Sequence, residues 1–119
     1  MLARFWGVRG SIPAPGPKTV RYGGNTPCVE VRAGGELIII DAGSGIRELG
    51  LSLLKAAAGS PISGNLLIGH THWDHIQGFP FFTPLFLPTT RFTVSGVHGT
   101  TKPFLDVMAG QMSSTYFPL

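Results

Sequence analysis

Apolar residues fall along this chain in short blocks separated by gaps rich in Gly and Pro, and each block has its own period. Leu2–Trp6 and Cys28–Arg32 carry the apolar and aromatic content suited to a pleated surface, which predicts two strands. Between them, Gly7 to Gly24 forms a long loop and not a hinge between domains. Ala33-Gly34-Gly35 is a turn signal, so Cys28–Arg32 and Glu36–Asp41 are expected to pair as a hairpin. Leu37-Ile38-Ile39-Ile40 is a continuous apolar run, the pattern of a strand covered on both faces.

The period then lengthens. Ile46, Leu49, Leu53, Leu54 and Ala57 recur at helical spacing, with Ser44 where an N-cap would stand and Glu48 in the first turn. Gly59-Ser60-Pro61 stops that helix. Asn65–Ile68 reads as a short buried strand, Arg91–Gly96 as another and Lys102–Ala109 as a last helix. A hairpin followed by a strand–helix–strand crossover predicts an α/β chain with a mixed sheet, at least partly covered by helices. No repeat, low-complexity tract or linker divides it, so residues 1–119 are expected to form a single domain.

Composition sharpens this picture in two ways. The chain is 43% hydrophobic, enough to bury a core and exclude disorder, and no apolar run approaches the ~20 residues of a membrane span. The start lacks the apolar core of a signal peptide, so a cytoplasmic protein with no membrane partner is the expectation. Charge is scarce, at 13% of residues, and uneven. Residues 1–32 carry Arg4, Arg9, Lys18, Arg21 and Arg32 against Glu30, whereas residues 60–119 hold only Asp74, Arg91, Lys102 and Asp106. A half so poor in charge is expected to pack against something further, such as a second copy in a homodimer. Cys28 stands alone and is expected to be a buried, inert thiol.

The segment that carries chemistry follows the Leu66-Leu67-Ile68 block: Gly69-His70-Thr71-His72-Trp73-Asp74-His75. Three of the chain's four histidines and one of its six acids fall here. On an extended exit from a strand, side chains two apart point the same way, so His70 and His72 can reach one ion together. Asp74 and His75 come after the chain begins to turn and can face a second ion beside the first. Imidazole and carboxylate are ligands that zinc, manganese and iron accept. A lone histidine here would be an ordinary loop residue; four potential ligands in this order favour a metal site.

His70-x-His72-x-Asp74-His75 after a buried strand resembles the signature of the metallo-β-lactamase fold hydrolases. Ile39-Ile40-Asp41-Ala42-Gly43 agrees, as do Gly7-Val8-Arg9-Gly10-Ser11 and Gly24-Asn25-Thr26-Pro27. Within that superfamily the chain is most similar to the branch of ribonuclease Z and related phosphodiesterases. The resemblance implies an αββα sandwich, present here as roughly its first half, with a mixed sheet and helices on one face. It implies a hydrolase working through a metal-activated water on a phosphodiester or nucleotide-type substrate, RNA included. It implies two divalent ions, zinc in the first place with manganese or iron as alternatives. His70 and His72 would serve the first ion and Asp74 and His75 the second, Asp74 standing at the catalytic centre. Asp41 would orient the metal loop from behind, although a turn acid before Gly43 reads almost as well.

His72 differs from the Glu of the superfamily's diiron oxidoreductases, and His75 from the non-histidine residue of many true β-lactamases; both point to a dinuclear hydrolase. Gln77 assigns no substrate. The resemblance also implies ligands that this chain lacks: a further His for each ion and a bridging Asp. His98 follows a strand without the expected surroundings and is read as a non-ligating loop residue, and Asp106 as part of a solvated helix face. Tyr116–Leu119 resembles an internal stretch of family members. The alternative reading is therefore a non-catalytic fragment or interaction module that folds by pairing with another copy or a complementary half.

Other readings fall away. Asp41-Ala42-Gly43-Ser44-Gly45 joins a strand to a helix, but Glu48 stands where a dinucleotide fingerprint needs its third Gly. Neither Ser11 nor Ser44 lies in a nucleophile elbow. The basic N-terminal region, with Phe5, Trp6 and Tyr22, is either a nucleic-acid groove or a solvated surface. Phe79–Leu87 is either core or an apolar wall beside the site.

Overall fold

A computed structural model describes residues 1–99 and 101–118; Leu119, the end of the Tyr116–Leu119 stretch, lies outside them. Five strands form one sheet in chain order: β1 (Leu2–Gly7), β2 (Cys28–Ala33), β3 (Glu36–Ile40), β4 (Ser63–Ile68) and β5 (Arg91–Gly96). The first three pair antiparallel, and β3–β4 and β4–β5 are parallel. Parallel neighbours need a crossover, which α1 (Ile46–Ala57) supplies before β4. Between β4 and β5 lie a single helical turn, α2 (Trp73–Ile76), and two 3₁₀ turns at Phe79–Phe81 and Thr83–Phe86. The chain continues into α3 (Phe104–Gly110). The fold is α/β, a mixed sheet with its helices on one face.

The β2–β3 hairpin forms because Gly34 and Gly35 both adopt positive φ, 56° and 82°, the twist a two-residue turn requires. Leu37 and Ile39 of β3 and Leu66 and Ile68 of β4 point to the helical side and are buried with Ile46, Leu49 and Leu53 of α1. Phe82, fully buried, meets Phe92 of β5 edge-on at 5.2 Å between ring centroids. Gly50 lets α1 approach this layer: a Cβ there would lie 3.0 Å from both Phe82 and Pro84.

Four expectations need correction. The Leu37–Ile40 run is covered on one face only; Ile38 is half-buried and Ile40 exposed, on the side that no helix reaches. Phe5, Val29, Ile40 and Leu67 line up across β1–β4 on that side, since they are successive register partners. The open sheet face thus draws mainly on the first forty residues, while the charge-poor half exposes large apolar side chains of its own, Trp73, Phe81, Phe86 and Tyr116 among them. Ser44 does not cap α1: Gly45 holds that position, and the Ser44 hydroxyl donates to Asn25 instead. The last helix starts at Phe104, not Lys102, because a residue before Pro103 is barred from helical geometry. Phe79–Leu87 is neither wholly core nor wholly wall. Pro80, Phe82 and Pro84 are buried, while Phe81 and Phe86 are exposed beside Phe117.

Cys28 is fully buried in β2, and burial pushes its thiol up to about 12, helped by the charges of Asp41 and Glu30. An unfolded Cys ionises near ~8.5, so the folded state holds this proton longer. The stability linked to it is intact below that pH and drains as pH rises toward about 12. We expect thiol reagents at pH 8 to label the native protein only as fast as it unfolds. We also expect Cys28→Ala to flatten the fall of the urea midpoint above pH 9. Immediate labelling of the native state, or identical pH profiles, would contradict this.

Candidate metal centre

β4 ends at Ile68, and Gly69 leads the chain out of the sheet. His72 keeps an extended backbone, φ −62° and ψ 149°, and α2 begins at the next residue. His72 therefore leaves on extended backbone while Asp74 and His75 lie on the helical turn that follows, as expected of a chain that begins to turn there. The two groups do not separate into distant sites. The His70 ring lies 4.5 Å from that of His72 and 4.0 Å from that of His75, centroid to centroid. His70 and His72 are exposed, and Asp74 and His75 are half-buried.

Two loops distant in sequence hold this segment. Asp41, at the end of β3, takes the Gly69 N–H on Oδ1 and the His75 Nδ1–H on Oδ2, both at 2.8 Å. A carboxylate accepts only, so the proton of neutral His75 sits on Nδ1 and its Nε2 carries a lone pair. That lone pair lies 3.6 Å from Asp74 Oδ2. Asp41 reaches this position with φ at +64°, a left-handed backbone that Asp tolerates better than most residues. Ser11, also left-handed at φ +71°, donates its backbone N–H to Asp74 Oδ2 at 3.0 Å. That bond holds the Asp74 carboxyl below the usual range; partial burial opposes the shift, and His75 and His70 reinforce it.

Beneath the His70–His75 loop lies a polar bracket. Ser44 N–H donates to Thr26 Oγ1 at 2.8 Å, and Thr26 N–H donates to Ser44 Oγ at 2.9 Å. Gln77 Nε2 donates to the same Thr26 hydroxyl at 3.1 Å. Backbone bonds from Ala42 N to His75 O and from Gly78 N to Ala42 O, both 2.8 Å, join the Asp41 turn to α2. The Gly24–Pro27 and Asp41–Gly45 segments are thus the floor of the candidate site.

The donor chemistry fits a divalent cation. Three imidazoles cluster, one of them oriented by a carboxylate as metal-binding histidines commonly are. His75 Nε2 and Asp74 Oδ2 lie 3.6 Å apart, and with His75 neutral both can serve as ligand atoms. Among the described residues, however, no group of three His, Cys, Asp or Glu is arranged to hold a metal ion. His98 lies outside the cluster and accepts the Phe104 N–H at 3.0 Å, serving α3. Asp106 is exposed on that helix. Sequence reasoning missed Ser11, because a main-chain amide leaves no signature in side-chain identity. It also left Gln77 unassigned, and its side chain ties the end of the His70–His75 loop to Thr26.

Comparison with known proteins covers nearly all of the chain. It is 32% identical over 109 residues to a protein named Ribonuclease Z from Bradyrhizobium sp. (strain ORS 278), covering 89% of this chain and 33% of that protein. It is 30% identical over 118 residues to Ribonuclease Z of Bradyrhizobium diazoefficiens, covering 97% of this chain and 36% of that one. The chain spans about a third of the length of these curated relatives. No family model matches it, and no solved structure does. Among the described residues no helix is long and apolar enough to cross a membrane. The sheet with its helices on one face, and likeness to ribonuclease Z along nearly all of this chain, support an α/β fold of the metallo-β-lactamase type.

Proposed function

We propose that this chain carries part of the active centre of a metal-dependent phosphodiester hydrolase. Two divalent ions would be held by His70 and His72 and by Asp74 and His75, zinc being the first candidate. The observation that carries the reading is the three-imidazole cluster backed by the Asp41–His75 hydrogen bond of 2.8 Å. Bound divalent ions supply polarisation of a phosphoryl oxygen and acidification of water at neutral pH. The chain's own groups supply orientation. Asp41 fixes the His75 tautomer, Ser11 keeps Asp74 ionised, and the Thr26–Ser44–Gln77 bracket holds the loop in place. The relatives' name, Ribonuclease Z, supports a phosphodiester substrate, RNA among the candidates, and the cytoplasm is the proposed place of action.

A finished catalytic zinc site takes about three protein ligands and a water, which His70 and His72 do not reach for the first ion. The 119-residue chain is therefore expected to bind zinc weakly and to hydrolyse bis(p-nitrophenyl) phosphate slowly or not at all. Zinc retention after dialysis, compared with His70→Ala/His75→Ala, is the direct measurement. Equal retention by both proteins would remove the metal reading. Two tightly held ions with full turnover would show that the ligand set is complete without further residues.

A further inference from the structure

Gln111, at the C-terminal end of α3, is buried, and its side-chain nitrogen Nε2 has no hydrogen-bond partner, one of two such atoms among the described residues. Burying an amide donor without a partner is costly, which marks Gln111 as a group still able to bind one. It borders two adjoining recesses. The larger, of about 430 Å³, is also lined by Thr71, Trp73, Lys102, Asp106 and Tyr116. The smaller, of about 220 Å³, shares Trp73, Gln111 and Tyr116 and includes Phe81 and Phe117. Trp73 is 70% and Tyr116 76% exposed, so two broad ring surfaces stand in water around one buried amide. None of His70, His72, Asp74 and His75 lines either recess. The cleft is therefore separate from the candidate metal centre, although Trp73 opens the helical turn that carries Asp74 and His75.

A glutamine amide offers a donor and an acceptor side by side. The ligand edge that answers it carries an acceptor beside a donor, as N7 and the N6 amino group of adenine do. Guanine presents two acceptors on that edge and would set an oxygen against the amide oxygen. A flat base also suits the two exposed rings, because its π face stacks on an aromatic side chain. At the rim, the Asp106 carboxylate accepts from hydroxyls and the Lys102 ammonium attracts a phosphate. We infer that this cleft binds an adenine mononucleotide: Gln111 reads the base, Trp73 and Tyr116 lie against it, Asp106 takes the ribose and Lys102 the phosphate. The ligand is held apart from His70–His75 and is not the molecule cleaved. Stacked on Trp73, it steadies the turn that carries Asp74 and His75, which makes the site regulatory. That last role rests on the hydrolase reading; the binding does not.

The test is an NMR titration of the isotope-labelled chain with adenosine monophosphate in EDTA. It follows the indole N–H signals of Trp6 and Trp73, the chain's two tryptophans, assigned with Trp73→Phe. The Trp73 signal is expected to shift saturably at submillimolar nucleotide while that of Trp6 stays. Guanosine monophosphate is expected to bind about tenfold more weakly. Gln111→Leu is expected to weaken binding about tenfold while the urea midpoint holds or rises, since an apolar side chain of similar size removes the unpaired donor. Tyr116→Ala is expected to cost about tenfold, and Phe86→Ala, which removes an exposed ring outside the cleft, less than about twofold. Lys102→Ala is expected to cost about threefold for the nucleotide and nothing for adenosine. A Trp73 signal unmoved at millimolar nucleotide would overturn the site and leave the two rings as a surface for further polypeptide. Equal losses in Tyr116→Ala and Phe86→Ala would mean general adsorption to apolar surface and overturn it too. Equal affinity for the two nucleotides would overturn the reading of the base by Gln111. Because the titration contains no zinc, nucleotide binding that survives while zinc retention fails would sink the hydrolase reading and leave this site standing.

Discussion

Replacing Asp41 with Asn is expected to lower zinc affinity about 10- to 100-fold while leaving the fold in place. The reason lies in what each carboxylate oxygen receives. Oδ1 takes the Gly69 N–H and Oδ2 takes the His75 Nδ1–H. An amide has one acceptor and one donor. Its oxygen keeps the Gly69 bond, and its NH₂ then faces His75 Nδ1. His75 must accept there, its proton moves to Nε2, and the lone pair that faced Asp74 is lost. Asn also tolerates the φ of +64°, so the turn itself survives. Asp41→Ala adds the left-handed cost of roughly 1–2 kcal/mol and serves as the contrast. Zinc titration read together with the His75 tautomer by NMR checks this. Unchanged affinity with the proton moved to Nε2 would show that Asp41 does not act through His75.

The second large effect is structural. Gly78→Ala is expected to cost about 3 kcal/mol or more, at the upper end of overpacking penalties, out of a total stability of ~5–15 kcal/mol. A Cβ on Gly78 would overlap the Gly43 carbonyl and lie 2.8 Å from Ile46 Cγ2. The Gly43 carbonyl cannot swing away without losing its bond from Ile46 N–H, which opens α1. Relief comes only by parting the Asp41 turn from α2, so metal affinity should fall with stability. Gly110→Ala, where an added Cβ meets nothing within 4 Å, is the control and should be neutral or slightly stabilising. Urea unfolding of the two variants separates them; a Gly78→Ala midpoint equal to that of the unsubstituted chain would refute the tight joint.

Both predictions turn on the meeting of two loops, and this is where sequence and structure part. The order His70, His72, Asp74, His75 after an apolar strand was readable as a ligand run, because local backbone direction decides which neighbours point together. The five strands, α1 and α3 were likewise placed to within a few residues, whereas α2 and the two 3₁₀ turns carry too few residues to show a period. Asp41 read almost as well as a turn acid as it did as a residue behind the loop; folding adds its bond to a histidine 34 residues away.

The contacts that define the site's floor were beyond local reading. Ser11 meets Asp74 across 63 residues through a main-chain amide that any residue type would possess. Ser44, placed by pattern at a helix cap, is drawn instead to Asn25 and Thr26, since the sheet brings Gly24–Pro27 within bonding distance of its hydroxyl. The Leu37–Ile40 run could not say how many layers cover it; apolar content measures a preference for burial, and the number of layers depends on what the rest of the chain supplies.

The sparse charge and the basic opening segment, visible from the residues alone, acquire different meanings in space. The apolar pattern sufficed for a packed α/β chain, and spacing for the expectation of a metal site at His70–His75, because both follow from short-range geometry. Folding brought Arg9, Lys18, Arg21 and Tyr22 around one cleft and tied that loop to Asp74. It also aligned Phe5, Val29, Ile40 and Leu67 on one open sheet face. Those arrangements depend on strand register and on left-handed turns at Ser11 and Asp41, which no local pattern of apolar and polar residues encodes.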